Sequence, residues 1–136
     1  MWAPLDAEDV FEELAGIRDP EFTHRTLAEL AVVAPDRVTV TPTGPRHATV
    51  RVTLKPTVPH CHLISNICLS VKVKLYDALP VTTFYKVVVD LVPGSHNDEA
   101  AVVKQANDKE RFAAALERPD LLREIRRLTD PFAASQ

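Results

Sequence analysis

The chain has 136 residues, 46% of them apolar and 26% charged, with a formal net charge of −3. That length fits one domain, able to bury about two-thirds of its unfolded surface without a disulfide or a structural metal, and the composition excludes wholesale disorder. The charge is too small to call for nucleic acid or a membrane surface, no apolar run approaches the ~18 residues of a membrane span, and three glycines (Gly16, Gly44 and Gly94) exclude glycine-rich phosphate loops.

Charge is unevenly spread. Residues 1–30 hold eight acids and two bases, residues 31–96 three acids and seven bases, and residues 97–136 eight acids and seven bases. The acidic start reads as a solvated helix face. Met1–Asp6 carries no basic or apolar leader pattern, so no signal peptide is expected. Cys61 and Cys68 form no C-x-x-C pair, which points to a reducing compartment rather than a zinc or disulfide framework.

In chain order, Val10, Phe11, Leu14 and Ile17 recur at helical spacing, predicting a helix over 6–17 with Asp6 as its N-cap and Asp19-Pro20 beyond its end. Residues 22–35 read as a turn or loop leading into an extended segment. Arg37–Thr41 is a short strand, stopped by Pro42-Thr43-Gly44-Pro45, which predicts a hairpin connection. His47–Lys55 alternates, with Ala48, Val50, Val52 and Leu54 on one face. Over 63–79, Ile64, Ile67, Cys68, Val71, Leu75 and Leu79 make one helical stripe. Thr83–Val92 is a strand with Tyr85, Val87, Val89 and Leu91 inward. Residues 98–130 are helical, with caps expected at Asn97, at Asn107 or Asp108, and at Asp120 after Pro119. This order predicts an α+β domain over 1–130, a small β-sheet packed by helices on one side, and a short flexible tail at 131–136.

Three clusters carry candidate chemistry. In Lys55-Pro56-Thr57-Val58-Pro59-His60-Cys61-His62 two prolines fix an extended approach to a helix start. Backbone N–H groups there, with His60 and His62 beside the sulfur, favour thiolate over thiol at Cys61. The alternative is an inert buried cysteine between exposed histidines, while Cys68 on the apolar stripe reads as a small core residue. Pro93-Gly94-Ser95-His96-Asn97 follows a strand and precedes a helix, so it lies at the end of the sheet. There His96 is either a bystander to capping or a base or metal ligand brought to Cys61. Lys104, Lys109 and Arg111 belong to a charged helical run, either a solvated face or a protein-docking surface.

These residues also carry a resemblance. Asp19-Pro20-Glu21, Thr26-Leu27-x-Glu29-Leu30, Pro56-Thr57-x-Pro59-His60-Cys61, Leu69–Leu75, Pro93-Gly94-Ser95-His96, Lys104-Gln105-x-x-Asp108-Lys109-Glu110-Arg111 and Ala113–Glu117 occur in this order. Together, over about residues 8–128, they resemble the small adaptor subunit of the cytosolic iron–sulfur (CIA) targeting complex, within a wider family that includes SufT and PaaD-like proteins. The resemblance implies a non-enzymatic adaptor that joins a β-propeller subunit and a helical-repeat subunit. It would help deliver clusters to apo-proteins of the cytosol and nucleus, and would form homodimers, some of them swapped. It implies that Cys61 is the reactive thiol, with His60 and His96 in matching motifs. Two cysteines are too few for four-thiolate ligation, so no stably bound cofactor is expected, only transient contact with an iron–sulfur cluster or metal ion, and the charge and hydropathy lead to no nucleic acid or membrane as a direct partner. Phe112 departs from the pattern, standing where a smaller aliphatic residue is expected. A thiol-dependent enzyme using Cys61 with His60 or His96 stays open as the alternative.

Overall fold

The computed structural model describes residues 3–59 and 61–130. His60 and the predicted tail at 131–136 lie outside the described residues. Among those described, the elements run α1 (Ala7–Ala15), β1 (Val38–Gly44), β2 (His47–Leu54), α2 (Ile64–Ala78), β3 (Phe84–Leu91), α3 (Glu99–Ala106), α4 (Lys109–Leu116) and α5 (Pro119–Thr129), with a short 3-10 turn at Pro35–Arg37. Among the described residues no helix is long and apolar enough to cross a membrane.

The strands form one sheet in the order β1-β2-β3. β1 pairs antiparallel with β2, and β2 pairs parallel with β3 in register from His47↔Phe84 to Leu54↔Leu91. Parallel neighbours need a long crossover, and α2 supplies it. Burial alternates as the pattern predicts. Ala48, Val50, Val52 and Leu54 of β2 are buried together with Val87, Val89 and Leu91 of β3, while Arg51 and Lys86 face out. The inward face packs on α2, whose Ile64, Ile67, Cys68, Val71 and Leu75 are all buried, and Val10 and Leu14 of α1 join the same core. This is the expected α+β domain. Burying a Val or Leu side chain stabilises by about 1.5–3 kcal/mol, so this one-sided face supplies most of the driving force for folding.

Several local expectations are corrected. β1 does not stop at Pro42 but continues to Gly44, with an irregularity between Pro42 and Gly44. β1 is an edge strand, where a proline costs no ladder bond; the turn itself is Pro45-Arg46, with Arg46 at φ 56°. Residues 22–35 do not extend. Thr26 and Glu29 form a reciprocal capping box, Thr26 N–H to Glu29 Oε1 and Glu29 N–H to Thr26 Oγ1, both 3.1 Å. Ala31 then takes a left-handed φ of 57° and reverses the chain, which leaves Leu27, Val32 and Val33 fully in the core.

Of the expected helix caps, Asp6 and Asp108 hold and the others move. Asp6 caps α1, accepting Asp9 N–H at 2.8 Å. Asp98 rather than Asn97 precedes α3. Arg118 rather than Asp120 precedes α5, because Pro119 occupies its first turn, where a missing N–H costs nothing. Asp108 caps α4, accepting the N–H of Glu110 and Arg111. Asn107 instead bonds to the sheet. Its Oδ1 accepts Val89 N–H at 2.9 Å and its Nδ2 donates to Val89 O at 2.8 Å. A side-chain amide thus takes the place of a fourth strand at the open edge of β3 and ties the α3–α4 corner to the sheet.

Candidate functional site around Cys61

Parallel pairing of β2 and β3 sends both strands out of the sheet at the same end. The segments that follow, 55–63 and 92–98, are therefore neighbours despite their separation in sequence. Val92 N–H donates to Leu54 O at 2.9 Å and closes the last rung. Beyond it two hydrogen bonds staple the segments together. Asn97 N–H donates to Pro59 O at 2.8 Å, and His96 Nε2 lies 3.0 Å from Cys61 O. The other ring nitrogen, Nδ1, accepts Asp98 N–H at 3.0 Å. A backbone N–H can only donate, so Nδ1 carries no proton, and Nε2–H is the donor to the Cys61 carbonyl. Gly94, at φ 79°, makes the turn that aims this histidine, and its N–H is held by Glu99 Oε2 at 2.7 Å.

The structure thus brings His96 to Cys61, as one reading of the sequence required, but to its backbone rather than its sulfur. Both ring nitrogens are engaged, so contact with a metal or a proton transfer would first break one of these bonds. His62 is exposed. His60 falls outside the described residues.

Cys61 itself is 8% exposed and belongs to the core cluster. It precedes α2 by three residues, and Leu63 at the helix start supplies no side-chain cap. The expectation of a lowered thiol pKa is corrected here. Burial pushes the Cys61 thiol above its ordinary value and outweighs the Leu63 and Ile64 backbone amides that draw it down, while Asp19 and Glu21 push it up further. The sequence pattern shows the helix start but not the depth of the loop against the core. Asp19 is itself buried, its Oδ1 accepting the N–H groups of Glu21 and Phe22, so the Asp19-Pro20-Glu21 motif forms a tight turn on the acidic side of the cysteine. Cys68 is 2% exposed, and burial pushes its thiol up to about 12, in keeping with a core role. Among the described residues no group of three or more His, Cys, Asp or Glu side chains is arranged to hold a metal ion.

Lys104, Lys109 and Arg111 are exposed at the break between α3 and α4. None of the three forms an ion pair within 4.0 Å among the described residues. The nearby carboxylate of Asp108 is spent on capping. Phe112, the departure from the family pattern, packs against Tyr76 with ring centroids 5.6 Å apart and lies under the Lys72 ammonium.

No protein-family profile matches the chain. Individual relatives do. It is 45% identical over 119 residues to Protein AE7 of Arabidopsis thaliana, covering 88% of this chain and 72% of that protein. It is 45% identical over 118 residues to cytosolic iron-sulfur assembly component 2B of Mus musculus, covering 87% and 69%. MIP18 family protein FAM96A of Dictyostelium discoideum is 34% identical over 139 residues, covering 90% and 91%. The chain belongs to the MIP18 family. This agrees with the resemblance drawn from the ordered motifs. The two motifs that meet at this MIP18 site, Pro59-His60-Cys61 and Pro93-Gly94-Ser95-His96, stand 35 residues apart at Cys61 and His96. The element that sequence reasoning missed is Asn107. Its one readable signal was two cap-forming residues side by side, of which only one can cap.

Proposed function

We propose that this chain is an adaptor of cytosolic iron–sulfur cluster assembly, acting in cytosol and nucleus, with Cys61 as its reactive thiol in transient contact with a cluster in transit. The observation that carries this reading is extensive identity with a protein named cytosolic iron-sulfur assembly component 2B. The site supports it in kind. One buried thiol on a stapled loop cannot supply the four-thiolate set of a resident cluster, but it can add one ligand to cargo held elsewhere once the loop opens. A thiol enzyme would need a depressed thiol pKa and a base aimed at sulfur. Here burial raises the thiol and His96 is bonded to the backbone, so the adaptor is the better supported of the two. His60, next to the thiol in sequence, is the second candidate contact.

The partner surface in this reading is the exposed Lys104, Lys109 and Arg111 at the α3–α4 corner, which the fold itself does not consume. A β-propeller subunit and a helical-repeat subunit are the expected partners, apo iron–sulfur proteins the clients, and homodimers an additional state. Affinity capture from native extract tests it: the wild-type chain brings down a propeller and a helical-repeat protein. Lys109→Glu with Arg111→Glu weakens that capture most at low salt, where screening is least, with an unchanged melting temperature. Capture of neither partner by the wild-type chain ends the adaptor reading. Undiminished capture by the folded double variant moves the docking surface elsewhere.

A further inference from the structure

A second candidate site lies on the side of α2 that faces the C-terminal helices. α2 and the three C-terminal helices line an open pocket of about 370 Å3. Its charged lining is Lys72, Arg111 and Arg118, with Ser65, Asn66 and Gln105 as neutral polar groups and the Cys68 thiol beside Lys72, and among the described residues no aspartate or glutamate lines it. Lys72 is only 5% exposed. Its Nζ lies 5.4 Å from the Phe112 ring centroid, and among the described residues no carboxylate stands within 4.0 Å of it. The two arginines are exposed at the cavity wall and form no ion pair among the described residues either.

A buried cation normally has its counter-charge built into the fold, because removing an ammonium from water is costly. Here the fold provides an aromatic face, two more cations and an open volume instead. Burial draws the Lys72 pKa below its ordinary value, and the neighbouring Cys68 thiol offsets this only in part. The apolar part of the lining, Phe112 with Leu69, Val102 and Leu121, suits a hydrocarbon body. The volume falls in the range of small-ligand pockets, about 300–1,000 Å3.

We propose that this cavity binds a carboxylate carried on an apolar body, the carboxylate pairing with Lys72 between Arg111 and Arg118 and the body resting on Phe112. That chemistry is shared by a free small organic acid and by an acidic side chain presented by a protein. The proposal stands apart from the role of Cys61.

Calorimetric titration of the full chain at neutral pH with 3-phenylpropionate, and with the isosteric neutral 3-phenylpropanamide, tests it. The acid is expected to bind about tenfold more tightly than the amide. Lys72→Met, which keeps the buried stem and removes the charge, should abolish that preference in a folded protein, and Arg111→Gln should reduce it by about two- to fivefold. Acetyl-Phe-Glu-amide separates the sources: tighter binding of the free acid marks a small-molecule site, and tighter binding of the capped peptide marks a protein side chain. Equal binding of acid and amide overturns the proposal. So does an acid that shows no binding up to about 10 mM, or a preference that survives Lys72→Met.

Discussion

Replacing either cysteine by serine changes one atom, and the two sites should answer differently. A buried hydroxyl without a partner costs about 1–3 kcal/mol in proteins, and a hydrogen bond returns about 1 kcal/mol. At Cys61 the backbone amides of Leu63 and Ile64 already act on the side chain and can donate to a serine Oγ. Cys61→Ser should therefore cost about 1 kcal/mol. Cys68 lies inside α2 against the core, where a serine can only bond back to the carbonyl four residues earlier, as Ser70 Oγ does to Asn66 O at 2.8 Å. Its apolar environment makes Cys68→Ser cost about 2–3 kcal/mol. Unfolding entropy of about 2.1 cal/mol/K per residue converts these costs to falls in Tm of about 3–4 °C and 7–10 °C. Iron incorporation into a client protein, assayed with each variant below its melting point, should collapse for Cys61→Ser and persist for Cys68→Ser. Normal client loading by Cys61→Ser, or a Tm lowered more by Cys61→Ser than by Cys68→Ser, would refute the placement of function at one thiol and packing at the other.

Three further outcomes follow from the same geometry. Alkylation of Cys61 should climb about tenfold per pH unit between pH 7 and 9 with no plateau, because a raised pKa leaves the reactive thiolate scarce throughout that window, and Cys68 should lag at every pH; peptide mass analysis reads both, and a plateau near neutral pH would mean an activated thiol. His96→Ala removes the hydrogen bond to Cys61 O but leaves the Asn97–Pro59 bond. Tm should fall by only about 3–4 °C while Cys61 alkylation accelerates severalfold. Asn107→Ala orphans both backbone groups of Val89, a fully buried residue, at about 2–4 kcal/mol or 7–14 °C in Tm, whereas Asp108→Ala loses only a helix cap, about 1 kcal/mol; similar melting of the two variants would contradict the role given to Asn107.

What was legible in the sequence was what periodicity encodes. β2 and β3 have one buried face each, and their apolar spacing names the residues that fill it; on α2 the apolar stripe names the face toward the sheet but not the second buried side that holds Ser70, Lys72 and Val73. The caps were less legible, because aspartate and asparagine serve several purposes with the same atoms. Asn107 and Asp108 look equivalent in one dimension, and only the open edge of β3 decides that one caps and the other extends the sheet. The Thr26–Glu29 box was available as a pattern but sits in a segment without periodicity. Pro42 reads as a stop in one dimension because edge position is a tertiary property.

The thiol at Cys61 shows the same limit in its chemistry. Helix-start amides and neighbouring histidines are local features, and they argue for ionisation. Burial is a global feature, set by how tightly the Pro59–Cys61 loop is stapled to the Pro93–Asn97 turn, and it argues more strongly against. The two staple bonds come from residues that follow parallel strands, so the topology that creates the site also closes it. A nucleophile that must react on every encounter gains nothing from such closure. A thiol that must meet only cargo presented within an assembly gains protection from adventitious oxidation and metals, since its reactivity then depends on loop opening. The His96 hydrogen bond contributes to that closure by holding the cysteine at its carbonyl, while the sulfur itself meets the Leu63 and Ile64 amides.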